Sequence, residues 1–159
     1  MRIGVIGASG RIGAALATRL EREHDVHRIT RNILDLRRPV RLYGYEVLYI
    51  AAANASLIGC ETDPDAYRVN VDGPVEIARM ASAGTRIVFL SSGAVETALH
   101  TAYGLHKAFA EAGLRAVCTP VIARICSRAE PADLPPLADW LAGLCTAAPG
   151  VYRWVKEKS

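Results

Sequence analysis

The feature that most constrains the fold is a glycine-rich segment at residues 7–13 (GASGRIG), which separates two segments of different character. Residues 2–6 (RIGVI) are largely apolar and predict a buried strand, whereas residues 11–23 are rich in Ala and Leu and predict a helix. A turn between a strand and a helix presents free backbone N–H groups and the positive end of the helix dipole to an anion. The segment therefore predicts a strand–turn–helix unit that binds a phosphate group.

The spacing of the glycines suggests a role for each of them. Gly7 can form the tight turn, Gly10 allows the backbone to approach a pyrophosphate, and Gly13 allows the helix and strand to pack closely. The spacing is GxxGxxG rather than GxGxxG, and such a turn can also be a plain strand–helix connection. Its position directly after the first strand favours a dinucleotide site, whose turn is completed by Ser9, Arg11 and Ile12.

Strand-like and helix-like segments alternate along the rest of the 159 residues. The predicted strands are 26–30, 46–51, 86–90, 116–123 and 151–155, and the predicted helices are 63–83, 101–112 and 134–147. Gly113 is expected at the end of its helix, and in residues 32–44 a further strand and its crossover helix look compressed. The alternation predicts an α/β fold: one Rossmann-type domain with a doubly wound parallel sheet and three α/β/α layers.

Composition excludes several classes of function. A net charge of +3 is too small to indicate binding to nucleic acid or to a membrane, although six arginines cluster between positions 22 and 41. The four cysteines form no CxxC pair and no metal-like spacing with the histidines, so reduced thiols and no metal site are expected. The apolar run begins at Ile3, which leaves no room for a signal peptide, and a cytoplasmic protein is expected.

The residue after the second strand bears on the choice of dinucleotide. An acidic residue there would hold the ribose 2′-hydroxyl of NAD, but this sequence has Arg31. A guanidinium is suited to a 2′-phosphate because it donates charge-assisted hydrogen bonds. NADP(H) is therefore expected, with NAD(H) as the less favoured alternative; Arg31 could also be an ordinary surface arginine.

A second constellation has the residue types of a site for carbonyl reduction. Tyr103 and Lys107 are four residues apart and share one face of the predicted helix 101–112. A nearby cation would lower the pKa of the phenol, and Tyr103 could then donate a proton to a carbonyl oxygen that Ser92 also binds. A YxxxK spacing often arises by chance, but its position after the glycine turn and Ser92 favours a catalytic role.

Several stretches together make the chain resemble an extended short-chain dehydrogenase/reductase of the NAD-dependent epimerase/dehydratase superfamily. The resemblance is strongest to the dTDP-4-dehydrorhamnose reductase group, and it rests on GASGRIG, LDL, AAAN, CETDPDAYRVNVDGP, RIVFLSS and YGLHK. It implies that Ser92 and Tyr103 act on the carbonyl and that Lys107 also binds the nicotinamide ribose. It further implies a homodimer through helices 63–83 and 101–112, and cofactor contacts by Asp35, Leu36, Ala51, Ala52, Ala53 and Asn70.

The chain departs from this family in its substrate-binding parts. Only ten residues separate Ser92 from Tyr103, Glu96 stands where relatives usually have an aromatic residue, and residues 125–128 lead almost directly to the last helix. The first hypothesis is a minimal NADPH-dependent oxidoreductase acting on a carbonyl compound, which by resemblance is a nucleotide-activated keto sugar. The alternative is a non-catalytic NADP(H)-binding sensor or regulatory subunit, which would keep its function in a Tyr103→Phe variant.

Overall fold

The fold is built on one parallel sheet of six strands, which confirms the predicted Rossmann-type α/β class. The computed structural model describes residues 1–156. The strands are β1 (Arg2–Ile6), β2 (Asp25–Ile29), β3 (Val47–Ile50), β4 (Arg86–Ser92), β5 (Val121–Ile125) and β6 (Gly150–Trp154). Their order is β2-β1-β3-β4-β5-β6, and every neighbouring pair is parallel.

Helices cover both faces of this sheet. They are α1 (Arg11–Leu20), α2 (Leu57–Thr62), α3 (Gly73–Met80), α4 (Ala94–Thr97), α5 (Ala102–Val117) and α6 (Leu134–Gly143). A π-helical turn, Arg68–Asp72, leads into α3, and short 3₁₀ turns flank α6. Among the described residues, no helix is long and apolar enough to cross a membrane.

Alternation of side chains along the strands produces two apolar cores. Ile3 and Val5 of β1 pack with α1 and α6 on one face, while Phe89 of β4 packs with α3 and α5 on the other. The first core also contains a buried phenol, because the Tyr49 hydroxyl donates to the Leu141 carbonyl at 2.8 Å. Packing on both faces fixes the carboxyl ends of β1–β6 along one edge, where ligands bind in folds of this kind.

The predicted end of α5 is wrong. The helix continues through Gly113 to Val117, so the strand predicted at 116–123 begins only at Val121. Gly113 serves close packing instead, since a Cβ there would lie 2.7 Å from Cγ2 of Val75 on α3. A glycine needed for helix contact and a glycine that ends a helix look alike in sequence.

The helix predicted over 63–83 is partly wrong at its start. Asp63 does act as a cap, because its carboxylate accepts the Asp65 N–H at 2.9 Å, but α2 precedes it and the following helical segment opens with the π-helical turn. That turn lies just before Pro74, whose missing N–H and ring disfavour a regular helix. Residues 32–44 contain neither strand nor helix, which explains their weak pattern.

Candidate functional site

The glycine turn has the geometry that phosphate binding requires. Gly7 has a φ of +88°, and a Cβ there would lie 2.5 Å from the Ala52 nitrogen. A Cβ on Gly13 would lie 2.3 Å from the Gly7 carbonyl oxygen, so only glycine lets α1 pack this closely. Gly10 precedes α1 and no side chain caps the helix, which leaves its first N–H groups available to an anion. The residues present thus fit a dinucleotide phosphate.

A groove of about 400 Å³ extends from this turn along the carboxyl ends of β1, β2 and β3. The predicted cofactor residues that line it are Gly7, Ser9, Gly10, Arg31, Asp35, Leu36, Ala51, Ala52 and Ala53. The other four lie outside the lining: Gly13 is buried under the turn, Arg11 and Ile12 start α1, and Asn70 lies behind the groove wall.

Two arginines at one end of the groove differ in whether they form ion pairs. Arg37 forms ion pairs with Asp35 at 2.5 Å and Asp65 at 3.3 Å. Hydrogen bonds from Arg37 lower the pKa of Asp35 to about 2. Arg31 also lines the groove, and within residues 1–156 it forms no ion pair. Sequence reasoning missed Arg37 and Asp65, because nothing in the LDL pattern shows where the next charges point.

Asn70 supports the groove wall rather than the groove itself. It is 1% exposed, and its side-chain amide both accepts from the Asn54 N–H at 2.8 Å and donates to the Asn54 carbonyl at 2.9 Å. These two bonds fix the loop after β3, whose residues line the groove. The same amide lies 3.4 Å from the ring of His106. A direct contact of Asn70 with a cofactor stays a prediction.

The shortened connection between Ser92 and Tyr103 still brings the two residues together. Ser92 ends β4, α4 follows, and the chain returns to Thr101, whose hydroxyl caps α5 by accepting the Gly104 N–H at 3.1 Å. Gly104 permits the return, since a Cβ there would lie 2.1 Å from the Ala98 carbonyl oxygen. Burial raises the pKa of Tyr103, and a hydrogen-bonding interaction with Ser92 lowers it only in part. The phenol is therefore protonated near neutral pH.

Lys107 does not act on Tyr103 in the way its spacing suggested. The residue is 3% exposed, its Nζ donates to the Leu90 carbonyl at 2.8 Å, and it lies 4.6 Å from the Phe89 ring centroid. The Tyr103 ring centroid is farther away, at 6.0 Å. Burial lowers the pKa of Lys107 to about 8. The expectation of a depressed Tyr103 pKa is wrong, because burial raises this pKa and the opposing effect comes from Ser92 rather than from Lys107.

A buried ionic network lies beside these residues, and sequence reasoning missed it. Glu111 is 1% exposed, and its carboxylate accepts from the Ser91 hydroxyl at 2.7 Å and from Arg124 at 2.7 Å. Arg124 also pairs with Glu96. Glu111 follows Lys107 by one helical turn, so the sequence could predict that both lie on the same face of α5, but it could not predict the partners of Glu111 on β4 and β5.

The parallel sheet, the glycine turn and the groove together define a Rossmann-type domain with a dinucleotide-shaped site. The sequence family described as RmlD substrate binding domain matches residues 1–113. The chain belongs to this family, which confirms the resemblance to extended short-chain dehydrogenases/reductases. No curated protein sequence matches the chain.

Solved structures of similar fold include both sugar-nucleotide enzymes and shorter reductases. A dTDP-4-dehydrorhamnose reductase from Yersinia enterocolitica is 24% identical, with a TM-score of 0.63 over 80% of this chain and 54% of that one. A nucleoside-diphosphate-sugar epimerase from Agrobacterium tumefaciens is 23% identical, with a TM-score of 0.61 over 82% and 55%. The chain thus spans about half the length of these two.

A carbonyl reductase from Pseudomonas aeruginosa PAO1, solved in complex with NADP, matches over nearly the whole of both chains. It is 18% identical, with a TM-score of 0.70 over 96% of this chain and 94% of that one. At such identities the similarity establishes the fold.

Proposed function

We propose that this protein is an NADPH-dependent oxidoreductase that reduces a carbonyl compound. The observation that carries the proposal is the position of Tyr103 and Lys107 beside the carboxyl end of β4. The Lys107 Nζ donates to the Leu90 carbonyl and lies 6.0 Å from the Tyr103 ring centroid, and Ser92 is near enough to lower the pKa of the phenol. This end of β4 lies beside the end of β3, whose loop lines the groove. The family and the NADP complex of a similarly folded carbonyl reductase support the choice of cofactor and reaction.

Each of the three side chains has a task in this reaction. Bound NADPH supplies the hydride. Tyr103 donates its phenolic proton to the carbonyl oxygen, because burial keeps the phenol protonated. Ser92 donates a hydrogen bond to the same oxygen and orients it. Lys107 has a pKa of about 8, so it is mostly protonated at neutral pH, and its task would be to bind the nicotinamide ribose, as the family resemblance implies.

The preference for NADPH rests on Arg31, and we expect Arg31→Ala to weaken NADPH binding about tenfold with little change for NADH. A charge-assisted hydrogen bond to the 2′-phosphate is worth about 1.5–3 kcal/mol, and exposure of Arg31 places the effect at the lower end. The measurement is a titration of the purified protein with each nucleotide, followed by fluorescence or heat.

Arg37→Ala is the matched control for this titration, because its guanidinium lines the same groove but is engaged by Asp35 and Asp65. We expect it to change both affinities alike. Equal affinity of the unmodified protein for NADPH and NADH would contradict the assignment of Arg31. Binding of neither nucleotide would remove the reductase proposal as well.

The alternative, a non-catalytic NADP(H)-binding sensor or regulatory subunit, is favoured by one feature. The segment that joins β5 to β6 consists of a turn, α6 and its flanking 3₁₀ turns, so no internal insertion builds a substrate pocket there. This segment also contacts the start of α1, next to the glycine turn, where the Arg11 guanidinium donates to the Ala129 carbonyl at 3.4 Å. Sensor and reductase differ in their dependence on the Tyr103 hydroxyl.

We also propose that the protein forms a homodimer through an apolar patch on α2, the turn before α3, and α5. The exposed side chains of this apolar patch are Leu57, Ile58, Tyr67, Leu105 and Phe109. Apolar groups gathered on one face stabilise association when they are buried together. The Tyr67 and Phe109 ring centroids are 6.4 Å apart, so these two at least are contiguous.

For this dimer we expect Phe109→Glu to produce monomers, because a charge would have to be desolvated in the apolar patch. Light scattering after gel filtration measures the mass directly. Val40→Glu is the matched control, since Val40 is 56% exposed against 50% for Phe109 but belongs to a different surface. A monomeric unmodified protein, or a dimer that survives Phe109→Glu, would contradict the proposed interface.

A further inference from the structure

A row of charged and polar side chains crosses the sheet one residue before the strand ends. Ser91 of β4 pairs in register with Arg124 of β5, which pairs with Arg153 of β6. Register partners in a parallel sheet point to the same face, so the two guanidinium groups lie side by side. This is the face that α5 covers, because the Ser91 hydroxyl donates to Glu111 of the helix that carries Tyr103. Two strand spacings put the Arg153 backbone about 10 Å from that of β4.

Two carboxylates face this row, and they differ in burial and in the number of groups that hold them. Glu111 is buried and is held by Ser91 and Arg124, with Arg115 at 3.1 Å on its outer side. Glu96 is exposed, and a single oxygen, Oε1, receives hydrogen bonds from both Arg124 and Arg153. Glu111 is therefore fixed in the fold, whereas Glu96 is a surface group shared by two cations.

The location and the charge balance suggest a ligand of negative charge. Within residues 1–156, three arginines, 115, 124 and 153, pair with two carboxylates, Glu96 and Glu111, which leaves one positive charge in excess among these five groups. The Arg153 side chain is 52% exposed, so an incoming group can reach it. The Glu96 side chain is 39% exposed, so it can turn towards solvent while α4 stays in place.

We propose that Arg153, assisted by Arg124, binds an oxyanion group of the substrate, a phosphate or a carboxylate, and that Glu96 occupies this position until the substrate displaces it. This rests on the proposed reductase function, for which it names the substrate class: a carbonyl compound with an oxyanion beyond the reacting carbon. A bidentate guanidinium is the side chain best matched to both oxyanions. The carboxyl ends of β5 and β6 would then hold the substrate, where relatives use an inserted substrate-binding segment.

The first test is binding of inorganic phosphate, followed by NMR of backbone amides and arginine Nε–H groups. We expect phosphate to shift signals of Arg153 separately from those of the glycine turn at residues 7–13. Arg153→Gln should weaken the first response about tenfold, since it removes a charge-assisted contact. Glu96→Gln should strengthen it several-fold, because the competing carboxylate becomes neutral while its shape is kept.

Arg128→Gln is the matched control, as Arg128 is 87% exposed at the same edge and pairs only loosely with Glu130, at 3.5 Å. It should leave phosphate binding unchanged. If these ion pairs only stabilise the fold, the result will be different. Arg153→Gln and Glu96→Gln will then both lower the melting temperature, and phosphate will shift only the NMR signals of the glycine turn. That result overturns the proposal.

The second test separates the substrate class from the reductase function itself. With NADPH present, Arg153→Gln should raise the KM for phosphorylated or carboxylated carbonyls about tenfold and leave neutral carbonyls unaffected. An equal effect on both classes overturns the proposal while the reductase function stands. Phosphate binding at Arg153 without turnover of any carbonyl supports the anion site and refutes the reductase function.

Discussion

Replacing Tyr103 with Phe is expected to lower the turnover of any carbonyl substrate by about 10²–10⁴-fold, the range that a positioned general acid contributes. The substitution removes only the phenolic hydroxyl, and the ring keeps its place on the first turn of α5. Because Tyr103 is not among the residues that line the groove, NADPH affinity should be unchanged. Single-turnover oxidation of bound NADPH, followed by absorbance, measures the chemical step without product release.

The same substitution at Tyr43 provides the control, since this tyrosine is 66% exposed and lies on the loop before β3. Tyr43→Phe should leave both turnover and nucleotide affinity unchanged. If Tyr103→Phe turns over as fast as the unmodified protein, another group supplies the proton and the role given to Tyr103 is wrong. If the unmodified protein binds NADPH but reduces no carbonyl, the sensor hypothesis replaces the reductase.

The sequence predicts the parts of the fold that depend on local patterns. Strand β1, the glycine turn and the start of α1 follow from residues 2–13, because a positive φ at Gly7 and close packing at Gly13 are requirements that only glycine meets. The alternation of apolar strands and amphipathic helices predicts the parallel sheet and its two covered faces. Of the groove lining, Gly7, Ser9, Gly10 and Arg31 could be named from the turn and the end of a strand, whereas Asp35, Leu36 and residues 51–53 were named through the family resemblance.

What the sequence does not predict depends on contacts between distant residues. Gly113 has the local pattern of a helix end, and only the approach of Val75 on another helix shows its real role. The pairing of Glu111 with Arg124 joins α5 to β5, and the engagement of Arg37 joins two separate loops. Burial cannot be judged from spacing either. The direction of the Tyr103 pKa was therefore predicted wrongly.

Replacing Lys107 with Met is expected to stabilise the protein at pH 7 by about 3 kcal/mol while it abolishes turnover. Burial lowers the pKa of Lys107 from 10.5 to about 8, and this difference corresponds to about 3 kcal/mol of disfavoured charge in the folded state. The Leu90 carbonyl and the Phe89 ring compensate only part of the lost hydration. Met has a similar length and no charge, and apolar replacements of buried ions are often stabilising.

The pH dependence of this gain follows from proton binding. Below pH 8 the lysine is charged in both folded and unfolded chains, so the cost of burial is fully present. Between about pH 8 and 10.5 the unfolded chain holds a proton that the folded chain has lost, and rising pH stabilises the unmodified protein. Urea unfolding of both proteins should therefore show a stability difference that is largest near pH 7 and disappears by about pH 10.5. Both proteins contain Tyr103, so its titration cancels.

A Lys107→Met variant that is less stable than the unmodified protein at pH 7 would show that the ammonium stabilises the end of β4. A variant that is more stable and has lost turnover would show that Lys107 destabilises the fold and is needed for the reaction.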